Sequence, residues 1–230
     1  MSSTRLPGKV LRPLAGAPMI LRQIERVRRA GGIGRLVVAT STERSDEVLC
    51  DVLQDAGAPV FRGPLEDVLG RFIGAMDAFG PADHVVRLTA DCPLADPEVI
   101  DEVIARHLAT GADYTSNTVV NRTWPKGLDV EVARAEALRA AARESADAYD
   151  REHVTPFLYR NPDRFRLEIV AQPRDEAELR WTVDRPDDHA FVAAVYDALH
   201  PANPQFSSDD VRAFVAGRPD LHRLGGDRRI

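Results

Sequence analysis

The sequence predicts an α/β protein built on a parallel sheet, and three observations carry that expectation. Short apolar runs rich in β-branched residues alternate with helical patterns, one strand-to-helix junction is fully specified, and polar residues suited to phosphate chemistry stand just beyond strand ends. The alternating runs are RLVVATS (35–41), APVFRG (58–63) and DHVVRLTAD (83–91), separated by helical patterns through SDEVLCDVLQDAG and LEDVLGRFIGAMDAFG. Such alternation marks βαβ units. The specified junction lies after HVVRLTA: Asp96 is placed to cap a helix and Pro97 suits its first turn, while Val99, Ile100, Val103, Ile104 and Leu108 fall on one apolar face.

From 113 to 172 the pattern loosens into DYTSN, GLDVEVA, a helix near AEALRAAARES, another through REHVTPFLYR and a strand RLEIVAQ. This segment reads as an insertion with strands and helices of its own, a lid or a dimer arm. The core plan then resumes with a strand LRWTVD and a helix from Pro186 whose Phe191, Val192, Val195 and Leu199 share a face. FSSDDVRAFVAG adds a last helix, and the tail GGDRRI is expected to fray. No repeat or linker interrupts the chain, so residues 1–230 are expected to form one domain.

The 230 residues suffice for one such domain with a full core. A net charge of −6 argues against nucleic-acid binding, which calls for a basic face. No apolar run approaches the ~18–20 residues that span a bilayer, and the start lacks a basic-then-apolar signal pattern, so a cytoplasmic protein with no membrane partner is expected. Cys50 and Cys92 lie far apart without metal-ligand spacing and read as small buried hydrophobes. In RQIERVRR (22–29), with Ile20, Ile24 and Val27 at helical spacing, the arginines are expected to form a solvated face.

In open parallel sheets, ligands bind beyond the carboxyl ends of the strands. Three places there carry chemistry. In SSTRLPGK (2–9), Gly8 lets backbone N–H groups approach an anion, and Arg5 and Lys9 supply cations for a triphosphate, although the Walker A spacing is absent. Asp91 ends the strand VVRLTA, where a carboxylate can hold Mg²⁺; Asp96 already serves the following helix, which weakens a capping role for Asp91. Asp184 ends LRWTVD and could complete a metal site from the opposite side, or act as the turn residue of an Asp-x-Pro junction. Together they fit nucleotidyl transfer, which must neutralise a triphosphate, hold the α-phosphate for in-line attack and release pyrophosphate. No G-x-S-x-G elbow, Cys/His pairing or H-x-x-x-H spacing competes, and His153 in DREHVTPF reads as a helix-end residue.

Taken in order, SSTRLPGKVLRPLAGAPM, FRGPLEDVLGRF, VVRLTADCPLADPEVID, PKGLDVEV, REHVTPF and WTVDRPDD resemble the cytidylyltransferases of the spore coat polysaccharide biosynthesis protein F type. That group is related to the synthetases that make CMP-activated 3-deoxy-manno-octulosonate and CMP-sialic acids, and the resemblance covers nearly the whole chain. It implies a Rossmann-like three-layer α/β/α nucleotidyltransferase sheet with an inserted dimerisation or lid segment, and a homodimer. It also implies a Mg²⁺-dependent reaction in which the hydroxyl of a nonulosonic or octulosonic sugar acid attacks the α-phosphate of CTP, for surface polysaccharide or glycan synthesis. By the same resemblance Ser3, Arg5, Gly8 and Lys9 belong to the phosphate-gripping loop, and Asp91 and Asp184 are the two Mg²⁺ ligands. Asp67 and Arg71 fall where relatives approach the nucleotide base, and Lys126 and Asp129 fall near the sugar pocket. As plain structural residues, Asp67 and Arg71 make an i, i+4 surface pair and Asp129 a strand-end turn residue.

Relatives of this type carry an apolar strand, ending in a Gln-Ala-Arg-like turn, immediately before the loop. Here the loop begins at Ser2. The expectation is a first strand missing from this chain, through a start assigned too far downstream or a genuine shortening. Two other functions stay open on the residues: a sugar-nucleotide-dependent glycosyltransferase, although no Asp-x-Asp follows a core strand, and a catalytically inactive nucleotide-binding subunit.

Overall fold

The computed structural model describes residues 5–224 and 227–228. A short 3₁₀ turn at Lys9–Leu11 leads into a two-residue hairpin of β1 (Pro13–Leu14) and β2 (Ala17–Pro18), followed by α1 (Met19–Val27). Then come β3 (Val38–Ser41), α2 (Glu47–Asp55), β4 (Val60–Gly63), α3 (Val68–Phe79), β5 (His84–Arg87) and α4 (Pro97–Thr110). The 113–172 region supplies β6 (Tyr114–Ser116), β7 (Glu131–Arg134), α5 (Ala135–Glu144), α6 (Ala148–His153), α7 (Pro156–Tyr159) and β8 (Leu167–Ile169). The chain closes with α8 (Pro186–Leu199), α9 (Ser208–Ala216) and a hairpin of β9 (Arg223–Leu224) and β10 (Asp227–Arg228). The expected fraying of GGDRRI thus meets a paired strand at 227–228, and its other residues lie outside the described ones.

The expected junction forms as read: the Asp96 side chain accepts from Glu98 N, Pro97 opens α4, and Val99, Ile100, Val103 and Ile104 are buried; Leu108 is exposed instead. The three early strands all form, each shorter than its apolar run. LRWTVD does not become a strand; a single parallel bridge joins Arg180 to Lys126. The expected REHVTPFLYR helix breaks into α6 and α7 around Val154.

The main sheet has the order β5–β7–β6–β8, with β7 antiparallel to both neighbours and β8 parallel to β6. The sheet is therefore mixed, because the 113–172 region contributes three of its four strands rather than standing apart. β3 and β4 form a separate parallel pair. Among the described residues no ladder joins β3 to β5, so one edge of each strand has no strand partner.

Helices cover both faces. Val132 packs into a cluster with residues of α1, α4, α8 and α9, whereas its neighbour Ala133 points into a second cluster with α3, α5 and α7. That inside-outside alternation is what a strand's period of two dictates. A third cluster joins Ile20 and Ile24 of α1 to Leu49 and Leu53 of α2, against the partly buried Leu36, Val38 and Val60. Ile20, Ile24 and Val27 thus face inward as expected. Arg26 does not join a solvated face: it is buried, donates to Ala95 O and Phe206 O at 2.7 and 2.9 Å, and stacks on the Phe206 ring. Cys92 is buried and Cys50 half-buried, both as free thiols. No helix among the described residues is long and apolar enough to cross a membrane.

Candidate active site

The loop that carries the cations is folded by its glycine. Gly8 lies at φ 67°, ψ 17°, the left-handed region where a side chain is strained, and it leads into the 3₁₀ turn at Lys9. Leu6 is buried in the main core and anchors the loop from below. Ser3 lies outside the described residues.

Lys9 crosses from this loop to the segments after β5 and before α8. Its Nζ donates to Asp91 Oδ2 at 3.0 Å, Asp184 Oδ1 at 3.0 Å and Val183 O at 2.8 Å, three bonds for the three protons of an ammonium group. Backbone contacts hold these acceptors in register. Val183 N donates to Asp91 O at 2.8 Å and Thr182 Oγ1 to the same oxygen at 3.1 Å, so the segments after β5 and before α8 are stitched together behind the two carboxylates. A second stitch joins Trp181 N to Lys126 O at 2.7 Å and Lys126 N to Leu179 O at 2.9 Å. Gly127 permits that approach: a Cβ there would lie 2.7 Å from the backbone of Trp181 and Thr182.

Asp184 is the most heavily engaged carboxylate of the site. Besides Lys9, it accepts from Arg180 Nη2 at 2.7 Å and pairs with Arg5 Nη2 at 2.9 Å. Burial pushes its pKa up, but the bonds from Lys9 and Arg180 outweigh that and hold the carboxyl below the usual range. Burial likewise pulls Lys9 down, and Asp91 and Asp184 more than restore it, so its pKa is raised. Arg180 is itself locked to buried Asp188, whose Oδ2 also accepts from Asp184 N and Arg185 N. The sequence pattern missed Arg180, because its link to Asp184 and Asp188 runs through an irregular turn rather than a helix face.

The remaining candidates sit around this center with identifiable partners. Asp67 caps α3, accepting from Gly70 N at 2.8 Å, and pairs with Arg151 of α6. Arg71, buried, donates to Pro64 O and Leu65 O at 2.9 and 2.8 Å, and so shapes the loop after β4; no bond between Asp67 and Arg71 is part of this arrangement. Asp129 is held bidentately by Arg122 at 2.6 and 3.1 Å. Lys126 is exposed, its backbone fixed by the bridge to Arg180. Burial, with Asp91 and Asp129 nearby, pushes the Cys92 thiol well up, which removes it as a nucleophile. His153 stacks near Tyr149 at the end of α6, in keeping with a helix-end residue.

Two carboxylate oxygens and a carbonyl oxygen thus converge on one point. They are the hard donors that suit a divalent cation held partly by protein and partly by phosphate oxygens. Among the described residues no cluster of three or more His, Cys, Asp or Glu side chains exists to hold a metal without such help.

With this geometry in place, comparison with known proteins is decisive. The profile of the cytidylyltransferase family matches residues 1–197. The chain belongs to that family. The spore coat polysaccharide biosynthesis protein SpsF of Bacillus subtilis is 34% identical over 228 residues, covering 96% of this chain and 92% of that protein. A 3-deoxy-manno-octulosonate cytidylyltransferase of Anaeromyxobacter dehalogenans is 33% identical over 147 residues, 64% of this chain and 57% of its own length. Among solved structures, a cytidylyltransferase from Leptospira borgpetersenii superposes with a TM-score of 0.89 at 26% identity, covering 96% of this chain and 92% of that one. A CMP:2-keto-3-deoxy-manno-octonic acid synthetase complexed with CTP shares the fold, with a TM-score of 0.63 at 19% identity over 85% and 94% of the two chains.

Proposed function

We propose that this cytidylyltransferase moves CMP from CTP to the hydroxyl of a sugar acid, with Mg²⁺ and with release of pyrophosphate, to supply an activated sugar for surface polysaccharide. The carrying observation is that Lys9 Nζ lies 3.0 Å from both Asp91, in the segment after β5, and Asp184, in the segment before α8. The names of relatives that act on 3-deoxy-manno-octulosonate or serve spore coat polysaccharide support the choice of acceptor class.

In this reading Arg5 and Lys9 take up the charge of the β- and γ-phosphates, beside the N–H groups that follow Gly8. Asp91 and Asp184, with Val183 O, would hold the metal, which would supply charge neutralisation to the phosphates. The acceptor oxygen forms a new bond to the α-phosphorus while the α–β anhydride bond breaks, its electron pair leaves with pyrophosphate, and the hydroxyl proton passes to solvent. Positioning and charge stabilisation suffice, so no covalent enzyme intermediate is required. Arg122 and Asp129 border the acceptor side with Lys126.

The test incubates the protein with CTP, Mg²⁺ and a panel of octulosonic and nonulosonic acids and follows pyrophosphate. Release with at least one acid, and loss of nearly all of it in Asp91→Asn, is the expected result. Full activity of Asp91→Asn removes the metal assignment, and release with none of the acids removes the acceptor class.

A further inference from the structure

The oxygen cage that suits a divalent cation already has an occupant of the same charge sign. Lys9 Nζ lies 3.0 Å from Asp91 Oδ2, 3.0 Å from Asp184 Oδ1 and 2.8 Å from Val183 O, and these three bonds use every proton it has. The Lys9 side chain is only 14% exposed, so the ammonium is seated in the cage rather than leaning over it. Magnesium would need oxygens at about 2.0–2.1 Å, closer than the ammonium draws them. An ion at the center of these oxygens and the Lys9 ammonium cannot coexist, because both claim the same lone pairs and repel each other.

The geometry points to Lys9 and the metal as alternative occupants of one site, so that the divalent cation binds tightly only once nucleotide phosphate has drawn Lys9 away. This deepens the proposed function and rests on its metal assignment. The two roles assigned to Lys9 then become successive: it neutralises Asp91 and Asp184 until phosphate oxygens offer it a better partner, and its departure uncovers the carboxylates beside the bound phosphates. The exchange never leaves the carboxylates bare, since a divalent cation enters the cage as the singly charged ammonium leaves it. Asp184 keeps Arg180 throughout, so Asp91, which among the described residues pairs with no cation other than Lys9, is the carboxylate the exchange frees most completely. A metal loaded without nucleotide would waste the site, and Lys9 prevents it.

The experiment uses Mn²⁺ alone as the probe and measures its binding by loss of the free-ion electron paramagnetic resonance signal. Wild type, Lys9→Met, Lys9→Gln and Lys9→Met/Asp91→Asn are compared, with circular dichroism melting to show that each folds. The expected result is Mn²⁺ affinity at least ten-fold higher in Lys9→Met and Lys9→Gln than in wild type, with the gain abolished by adding Asp91→Asn. Unchanged Mn²⁺ affinity in both folded Lys9 variants overturns the inference. A separate arm titrates wild type with CTP by calorimetry, with and without Mg²⁺. If Mg²⁺ leaves CTP binding unaltered, the metal assignment itself fails; if Mg²⁺ strengthens CTP binding while the Lys9 variants gain nothing, the exchange alone fails.

Discussion

Thr155 Oγ1 donates to Glu131 Oε2 across 2.8 Å, tying the turn between α6 and α7 to the middle of the main sheet. Glu131 is buried on β7 and takes its other bond from Arg87 of β5 at 3.1 Å. Burial pushes its pKa up, and Arg87 and Thr155 hold it back only in part. The turn that delivers Thr155 is strained. Val154 sits at φ 75°, ψ −52° with Thr155 N donating to His153 O, a γ-turn of the positive-φ kind that a β-branched residue rarely enters. Such a conformation costs on the order of 1–3 kcal/mol and persists only where its surroundings enforce it. Thr155→Val is expected to lower stability by about 1–3 kcal/mol, the cost of leaving a buried acceptor short of a donor. Thr155→Ser keeps the hydroxyl and is expected to lose less. Urea unfolding at pH 7 measures both, and equal losses would show that the hydroxyl is not the reason for the turn.

A histidine pair links stability to pH. His107 is fully buried, with Nδ1 2.8 Å from Thr115 Oγ1 and Nε2 2.9 Å from His84 Nδ1. Burial, then the neighboring His84 and Arg134, bring its pKa down to about 4. Between that value and the ordinary pKa near 6.5 the unfolded chain binds a proton that the folded chain refuses, so the contribution is complete above pH 6.5 and is lost as pH falls toward 4. The melting temperature of His107→Gln is expected to fall less than that of wild type over this interval. Parallel slopes would assign the acid sensitivity to other groups.

The parts of this fold that were legible in the sequence depend on local physics. The Asp96 cap, the Pro97 start and the inward Ile20, Ile24 and Val27 follow from spacing alone, and so does the placing of Asp91 beyond the end of β5. The parts that were not legible depend on partners distant in the chain. Arg26 reads as one cation among several in RQIERVRR, and only the fold reveals that two carbonyl groups and a phenyl ring take it inside. Arg151 is similar, fixing Asp67 across 84 residues, whereas Arg180 and Arg122 reach Asp184 and Asp129 only four and seven residues on, through irregular turns that no regular element marks. LRWTVD reads as a strand because it is apolar and β-branched, yet its backbone bonds go to Lys126 and Asp91 instead of to a ladder.

Buried Arg26 gives a direct measure of such a partner. Replacing it by methionine keeps much of the packing volume but leaves Ala95 O and Phe206 O without their donors, at about 1–3 kcal/mol for each carbonyl stranded. Arg26→Met is therefore expected to lower the urea midpoint markedly, while Arg28→Met on exposed surface changes it little. A midpoint for Arg26→Met within error of Arg28→Met would show that solvent reaches those carbonyl groups.

Arg122 holds Asp129 in one orientation through two bonds. If these residues border the sugar acid, Arg122→Met is expected to raise KM for the acceptor several-fold while KM for CTP stays within about two-fold, since orientation of Asp129 would be lost without touching the phosphate loop. Steady-state kinetics with each substrate varied in turn separates the two. An equal rise in both would place Arg122 in general folding of the 122–129 segment instead.

The edge of β3 that has no strand partner among the described residues can be probed without any substrate. Val38 N donates to Pro59 O and Thr42 N to Gly63 O, so on this parallel strand the even-numbered residues face β4 and Ala39 turns its backbone groups to the other edge. There the Ala39 carbonyl is met at 3.5 Å by Arg71 Nη1, a side chain standing where a neighboring strand would supply a donor. An edge left in this condition exposes its amides to exchange and offers a template for another strand. The Ala39 amide is expected to exchange with solvent deuterium at least ten-fold faster than the Val38 amide beside it, as read by NMR at single-residue resolution. Comparable protection of Ala39 and Val38 would mean that this edge is covered in solution.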